Sequence, residues 1–250
     1  MEWSSPSIIL NIRPYGEINS IVTALSSDNG LFRGMVYGAQ SRKQVATWQM
    51  GNFVSAHWSA ALPEQLGTLK GELVHATAAS VMQSFLTLSM MRSCCALTES
   101  CLLEHQSVPT IFQNLMILLT KLSHDPIEAE QKGIAALLRW ELQLLKELGY
   151  GLDFTNCQKT NYNQSYWVSP KTGLAVTEET AGEWKPRLFR LPNLFLDESD
   201  FGTLEDWCEG LRMTGHFLER YIQEFRNRTL PAARIHLYDI LNKRNTEKIS

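Results

Sequence analysis

A short segment with a glycine, two neutral donors and two adjacent cations is the part of this sequence best suited to bind a ligand. It reads G-A-Q-S-R-K over residues 38–43, with Gln40 and Ser41 as neutral donors and Arg42 and Lys43 as cations. Such donors, together with a backbone N–H, suit the phosphates of a nucleic-acid backbone and hold them without reading base sequence. The alternative is a solvated loop that carries two charges.

Four further side chains are candidates to widen this surface. Arg13 and Arg33 extend the cationic strip if they face outward. Trp48 and Trp58 are candidates to stack on bases, as aromatic side chains do in barrels that bind single strands. Aromatic residues in strands more often belong to the core, so the alternative places both tryptophans inside.

A second group of cations lies near the carboxyl end. Residues 212–250 carry eight Lys/Arg and four Asp/Glu, whereas residues 151–211 carry five and ten. Arg226, Arg228 and Arg234 surround the start of a predicted helix and are DNA-contact candidates. The alternative is a turn held by salt bridges to the acidic region 178–209.

Common catalytic signatures are absent from the sequence. It has no G-x-x-x-x-G-K-[ST] phosphate loop, no H-E-x-x-H metal motif and no G-x-S-x-G nucleophile elbow. The six histidines do not pair at metal-ligand spacing. We therefore expect a protein that is not an enzyme and has no cofactor.

Composition describes an ordinary globular chain of 250 residues, 44% hydrophobic and 20% charged. No apolar run reaches the roughly 18 residues that a membrane helix needs. The first residues lack a basic stretch followed by an apolar one, so no export signal is predicted. Five cysteines in no framework spacing indicate reduced thiols and a cytoplasmic location.

The pattern over residues 5–75 predicts a small β-barrel. Five short strands are expected at 7–12, 18–26, 31–37, 53–60 and 66–74, with a D-N-G hairpin turn at 28–30. This pattern suggests an OB-fold, a partly open Greek-key barrel. An SH3-like barrel shares much of the same periodicity.

After the barrel the hydrophobic period becomes helical. Helices are predicted at 76–106, 110–122, 126–148, from a Thr203 cap onward, and at 231–241, with a β-hairpin at 162–176. The fold class is therefore α+β. The expected domains are an OB-fold at 1–76, a helical domain at 77–149, a hairpin insert at 150–200 and carboxyl-terminal helices at 201–250.

Five motifs in fixed order resemble the amino-terminal domain of the RecO family of bacterial recombination mediators. They are R-P-Y-G-E (13–17), I-V-T (21–23), D-N-G (28–30), Y-G-A-Q-S-R-K (37–43) and W-Q-M-G-N (48–52). Residues 215–220 and 226–234 resemble the family's closing segment. The resemblance implies nucleoid-associated DNA repair: binding of single- and double-stranded DNA, strand annealing, and recombinase loading on DNA coated with single-strand-binding protein.

The resemblance also implies partners. These are RecR, indirectly RecA, and the carboxyl-terminal tail of single-strand-binding protein. That tail is expected in an apolar groove within residues 78–148, with rim cations drawn from Arg92, Lys121, Lys132 and Arg139. The rival hypothesis is a non-catalytic scaffold whose barrel binds a protein.

Many relatives in this family are similar in having a four-cysteine zinc site after the third helix. Cys157 matches the approach to its first cysteine, but position 160 is Thr and residues 162–182 contain no Cys or His. Zinc needs four ligands held together, so a metal-free hairpin is expected. Cys94, Cys95 and Cys101 are expected in the core.

Overall fold

The computed structural model describes residues 1–62, 65–155, 157 and 165–249. These residues form two compact units, Met1–Ala129 (unit 1) and Glu130–Ser250 (unit 2). None of the described helices combines the length and the apolar character needed to cross a membrane.

Unit 1 begins with a five-stranded barrel, as the sequence predicted, and this barrel is closed rather than partly open. Its strands are β1 (Glu2–Tyr15), β2 (Asn19–Ser26), β3 (Gly30–Val36), β4 (Phe53–Ser59) and β5 (Gly67–His75). They follow the order β1-β2-β3-β5-β4. All pairs are antiparallel except β3 with β5. This OB-like barrel is followed by helices, which confirms the α+β class.

The long strand β1 pairs with two neighbouring strands. Its first part pairs with β4 from Glu2 to Ile8, and its second part pairs with β2 as far as Tyr15. The register shifts between Ile9 and Asn11. Such a bulge bends a strand and re-aims the side chains that follow it. Beyond it Ile12 packs against the core, so the alternating Arg13 lies on the outer face.

The barrel core is built around two tryptophans. Trp58 is 2% exposed and donates from Nε1 to the Arg33 carbonyl at 2.9 Å. A Cβ on Gly67 would lie 2.2 Å from the Trp58 ring, so only glycine lets β5 pass this close. Trp48 is 4% exposed in the same core. The prediction that either tryptophan contacts bases is therefore wrong.

Three helices complete unit 1: α1 (Thr77–Val81), α2 (Phe85–Cys101) and α3 (Pro109–His124). The single helix predicted at 76–106 is interrupted because Ser84 caps α2 and accepts hydrogen bonds from the Leu86 and Thr87 N–H groups. Helix α2 packs on β1 and buries its three cysteines, as expected.

Unit 2 holds the rest of the chain, together with most of the helix that begins at Pro126. Its elements are α4 (Pro126–Glu147), β6 (Tyr166–Val168), β7 (Ala175–Thr177), α5 (Glu178–Ala181), β8 (Phe189–Arg190), α6 (Leu204–Arg226) and α7 (Ala232–Ile249). The predicted hairpin is present as β6 and β7, although its start at Tyr162 lies outside the described residues. Helix α7 continues to Ile249, beyond its predicted end at residue 241. Phe225 on α6 is 61% exposed.

Candidate nucleic-acid interface

The cationic segment is fixed at its start by the end of the β1–β2 hairpin. Gly38 has φ +71°, a left-handed conformation that favours glycine, and its N–H donates to Asn19 Oδ1 at 3.0 Å. Gln40 donates from its backbone to the Ile18 carbonyl and from Nε2 to Ser20 Oγ at 2.8 Å. Gln40, predicted as a phosphate donor, thus also holds the loop to β2.

The far end of the segment is fixed from the core. Trp48 donates from Nε1 to Gln44 Oε1 at 2.8 Å and from its backbone to the Gln44 carbonyl. Asn52 Nδ2 donates to the carbonyls of Ala46 and Thr47 at 2.9 and 3.2 Å. The loop is therefore held in place at both ends before any ligand binds.

Arg42 and Lys43 occupy the middle of this loop and are both exposed, while Ser41 is half-buried. Within the described part of the chain, no hydrogen bond or ion pair engages either cationic side chain. Their charges are available to an anionic ligand, and the ordered backbone limits the entropy lost on binding.

Two exposed tyrosines lie at the same end of the barrel. Tyr15 is 57% exposed and pairs with Asn19 across β1 and β2. Tyr37 is 67% exposed and follows Val36, the last residue of β3. Ser20 pairs with Val36, and the Asn19 side chain accepts a hydrogen bond from the Gly38 N–H. Tyr37 therefore lies beside Asn19, on the side opposite Tyr15.

Arg13 completes this area. It is exposed, pairs with Ile21 and stands two residues before Tyr15 on the same outer face. We call Arg13, Tyr15, Tyr37, Arg42 and Lys43 the tyrosine–cation surface. The nearby turn also contributes one exposed carboxylate, Glu17.

The tyrosine–cation surface combines the two chemistries that single-strand binding uses, namely cations for phosphates and aromatic faces for bases. In OB-folds the face of the second and third strands is where oligonucleotides bind. Sequence reasoning chose tryptophans and missed the tyrosines. The available signal was that each tyrosine lies at or just after the end of a strand, immediately before a glycine.

Arg33 also faces outward, but its charge is already paired. It forms an ion pair with Glu104, and its side chain remains 52% exposed. A carboxylate beside it reduces what it offers a phosphate. Arg33 is therefore a weaker candidate than Arg13.

Arg234 cannot contact DNA, so this prediction is wrong. It is 1% exposed, and its guanidinium donates to the Glu141 carboxylate at 2.5 and 3.0 Å. It also donates to the Leu211 carbonyl and Thr214 Oγ1 at 2.8 and 3.2 Å. A buried charge needs such partners. The alternative, a salt bridge, is the kind of contact that Arg234 makes, but its partner is Glu141 and not a residue of the acidic region 178–209.

The other two carboxyl-terminal arginines are more accessible. Arg228 is exposed and Arg226 is half-buried, and the left-handed Asn227 between them ends α6. Nε of Arg226 is buried without a hydrogen-bond partner among the described residues. Both remain candidate DNA contacts.

The four predicted partner-binding cations fall in different environments. Arg92 on α2 and Lys121 on α3 are exposed. Lys132 is half-buried with Nζ 4.8 Å from the centre of the Phe201 ring. Arg139 donates to the carbonyls of residues 194, 197 and 200 at 2.9, 3.0 and 2.5 Å. Arg139 thus holds this segment in place and is not a free rim cation.

Cys157 sits in a site that favours the neutral thiol. Burial, helped by the charge of Asp153, raises the pKa of Cys157 to about 11. Within residues that the structure describes, no three His, Cys, Asp or Glu side chains gather as metal ligands. Metal-free protein remains a prediction.

Comparisons with known proteins cover both units. The family described as "Recombination protein O N terminal" matches residues 1–77, and "Recombination protein O C terminal" matches residues 82–231. The chain is 49% identical to the DNA repair protein RecO of Gluconacetobacter diazotrophicus over 97% of its length and 96% of that protein.

Two further relatives are also named DNA repair protein RecO. The RecO of Granulibacter bethesdensis is 42% identical over 96% of this chain and 95% of that protein. The RecO of Acidiphilium cryptum is 40% identical over 98% of this chain and 97% of that protein. The barrel, the helical region and these full-length matches agree, so the chain belongs to the RecO family, which has a role in DNA repair and recombination.

Proposed function

We propose that this protein binds single- and double-stranded DNA through the tyrosine–cation surface, anneals complementary strands and assists recombinase loading on DNA coated with single-strand-binding protein. The observation that carries the proposal is the ordered loop that presents Arg42 and Lys43 beside two exposed tyrosines. RecR and, indirectly, RecA are the proposed partners in loading. Arg226 and Arg228 are proposed as additional phosphate contacts.

Annealing fits a protein without catalytic groups. The reaction needs no general acid or base, but it does need the repulsion between two phosphate backbones to be reduced. Residues 1–72 carry five Lys/Arg and five Asp/Glu, so the barrel attracts DNA only locally. Binding by few cations is readily reversible, and its salt dependence reports how many phosphates the cations contact.

The cationic loop is tested by changing Arg42 and Lys43 together to Ala. DNA affinity should fall for all sequences, and the slope of log affinity against log salt should flatten by about one to two units. Single-strand binding is measured by fluorescence anisotropy between roughly 50 and 200 mM salt. The melting temperature should not change because exposed charges contribute little to stability.

The matched control is the double change Arg92→Ala and Lys121→Ala, which removes the same charge from exposed positions on α2 and α3. It should leave DNA binding unchanged. Equal losses in the two double variants would show a net-charge effect and would refute the loop as the contact. Wild-type protein that binds no DNA at low salt would favour the scaffold hypothesis.

We also propose that the acidic, apolar-ended tail of single-strand-binding protein docks on the helices of unit 1. Met82 and Phe85 are 57% and 59% exposed, and Arg92 and Lys121 supply cations on the same set of helices. Met90, Met91, Phe112 and Leu119 are buried and are excluded as contacts.

A peptide copying that tail should bind with micromolar affinity, about −8 kcal/mol. It should shift amide signals within residues 78–148. Here the two double variants exchange roles: Arg92→Ala with Lys121→Ala should weaken peptide binding, and the loop variant should not. Amide shifts confined to residues 1–75 would place the tail on the barrel instead.

A further inference from the structure

We infer that Tyr15 and Tyr37 form a stacking platform for unpaired bases, and that a strand held there keeps its Watson–Crick edges free to pair. The inference rests on the proposed function and adds to it the feature that separates single strands from duplex. It starts from two large aromatic side chains that the fold leaves mostly in solvent, at 57% and 67% exposure.

The spacing of the tyrosines suits more than one base. Tyr15 pairs with Asn19 on β2, and Tyr37 lies beyond Asn19 at the end of β3. Two strand spacings put their Cα atoms about 10 Å apart. Neither ring appears among the aromatic contacts of the described residues, whereas Trp3, Phe32 and Trp58 pack on one another in the core.

Cations stand close to the platform along the chain. Arg13 precedes Tyr15 by two residues on the outer face, and Arg42 and Lys43 follow Tyr37 by five and six residues in the ordered loop. These cations can contact the phosphates of a strand whose bases stack on the tyrosines. This charge complementarity favours a nucleic acid over an apolar peptide.

The two amide side chains beside the tyrosines are each partly engaged within the protein. Asn19 Oδ1 accepts from the Gly38 N–H, and Gln40 Nε2 donates to Ser20 Oγ. These contacts leave each amide with fewer groups for reading base edges. Contact through phosphates and base faces then tolerates any sequence and leaves the pairing edges outward.

Duplex DNA does not offer the same faces because its bases are stacked on each other. The cations contact phosphates in both forms, whereas the tyrosines gain only from unpaired bases. Removing a tyrosine ring should therefore change single-strand affinity selectively. Removing Arg42 and Lys43 should lower both affinities.

The test compares Tyr15→Leu, Tyr37→Leu and Tyr37→Phe with wild type, on a mixed-sequence single strand and on duplex of equal length. Each Leu variant should bind the single strand about tenfold more weakly, with duplex affinity unchanged. The Phe variant keeps the ring and should bind as wild type does. Phe225→Leu, at a position 61% exposed in unit 2, is the matched control and should have no effect.

A chemical probe tests the free edges. Kethoxal reacts with the Watson–Crick edge of unpaired guanine, so guanines in the complex should react as fast as in free DNA. Annealing should slow in both Leu variants. Equal losses on single strand and duplex, no loss on either, or protection of guanines would each overturn the inference.

The proposed function would fail differently. In that case wild-type protein would bind neither DNA form, and substitutions at the tyrosines would have nothing to weaken. Leu variants that lose binding to a protein partner while keeping single-strand affinity would assign the platform to that protein and overturn the inference.

Discussion

Arg228 and Arg234 show how burial decides what a cation can do. Both lie in the basic carboxyl-terminal segment, six residues apart. Arg228 is exposed, while Arg234 is enclosed with Glu141, Thr214 and the Leu211 carbonyl. The first can meet a phosphate, whereas the second holds three helices of unit 2 together.

Arg234→Ala should lower the free energy of unfolding by about 3–5 kcal/mol because it leaves the Glu141 carboxylate buried without its partner. Arg228→Ala should change it by less than about 0.5 kcal/mol. Urea denaturation measures both values. Similar small effects for the two variants would mean that Glu141 finds another partner or water.

Local sequence patterns showed where cations cluster, but they did not show which of these cations the folded protein buries. The partner of Arg234 lies 93 residues away in sequence, at Glu141. No short-range pattern carries that pairing. The prediction that tryptophans rather than tyrosines contact bases failed for a related reason. Trp58 is buried because Gly67, on another strand, leaves room for its ring, and this contact depends on the tertiary structure.

At the scale of elements, the start of α6 is a feature that sequence spacing predicted. Thr203 Oγ1 accepts from the Asp206 N–H at 3.3 Å, and the Asp206 carboxylate accepts from the Thr203 N–H at 2.9 Å. These hydrogen bonds confirm the predicted cap. It could be predicted because its two residues are only three positions apart in the sequence. The interruption between α1 and α2 was not predicted, since residues 76–106 contain no Gly or Pro.

The cap makes stability depend on pH. Burial alone would raise the pKa of Asp206, but hydrogen bonds from Thr203 and the Arg190 guanidinium outweigh burial and hold it below the ordinary value. A carboxyl group whose pKa is lower in the folded protein stabilises the fold above its unfolded pKa, about 3.9. That stability is lost as pH falls through the folded pKa.

Asp206→Asn should therefore be less stable than wild type at pH 7, and the difference should shrink below about pH 4. Urea midpoints at pH 7 and pH 3 give the two differences. Comparison with wild type at each pH cancels the contributions of other carboxylates. A difference that stays constant with pH would show that the charge of Asp206 contributes nothing.

At the scale of the whole molecule, the alternating and helical periods were enough to predict a barrel followed by helices. They did not predict the closure of the barrel, which depends on the parallel pairing of Gly34 with Gly67. The candidate site was predicted in part. Its cations lie in a continuous loop, whereas its tyrosines come together only when β1, β2 and β3 pair.

Purified protein should contain no stoichiometric zinc, and a strong chelator should leave its melting temperature unchanged. A structural zinc site contributes on the order of 10 kcal/mol to folding, so its loss would be evident. Elemental analysis and thermal melts with and without chelator measure this. One tightly bound zinc per chain would contradict the prediction.

The five buried cysteines have a consequence for experiments on either unit. Alkylating reagents need an accessible thiolate, and burial removes access while raising the pKa of Cys94, Cys157 and Cys208. An alkylating reagent therefore reaches these thiols only in molecules that have unfolded locally or globally. Cys94, Cys95 and Cys101 belong to unit 1, and Cys157 and Cys208 to unit 2. Mapping the labelled peptides over time thus gives each unit its own opening rate in the unmodified protein.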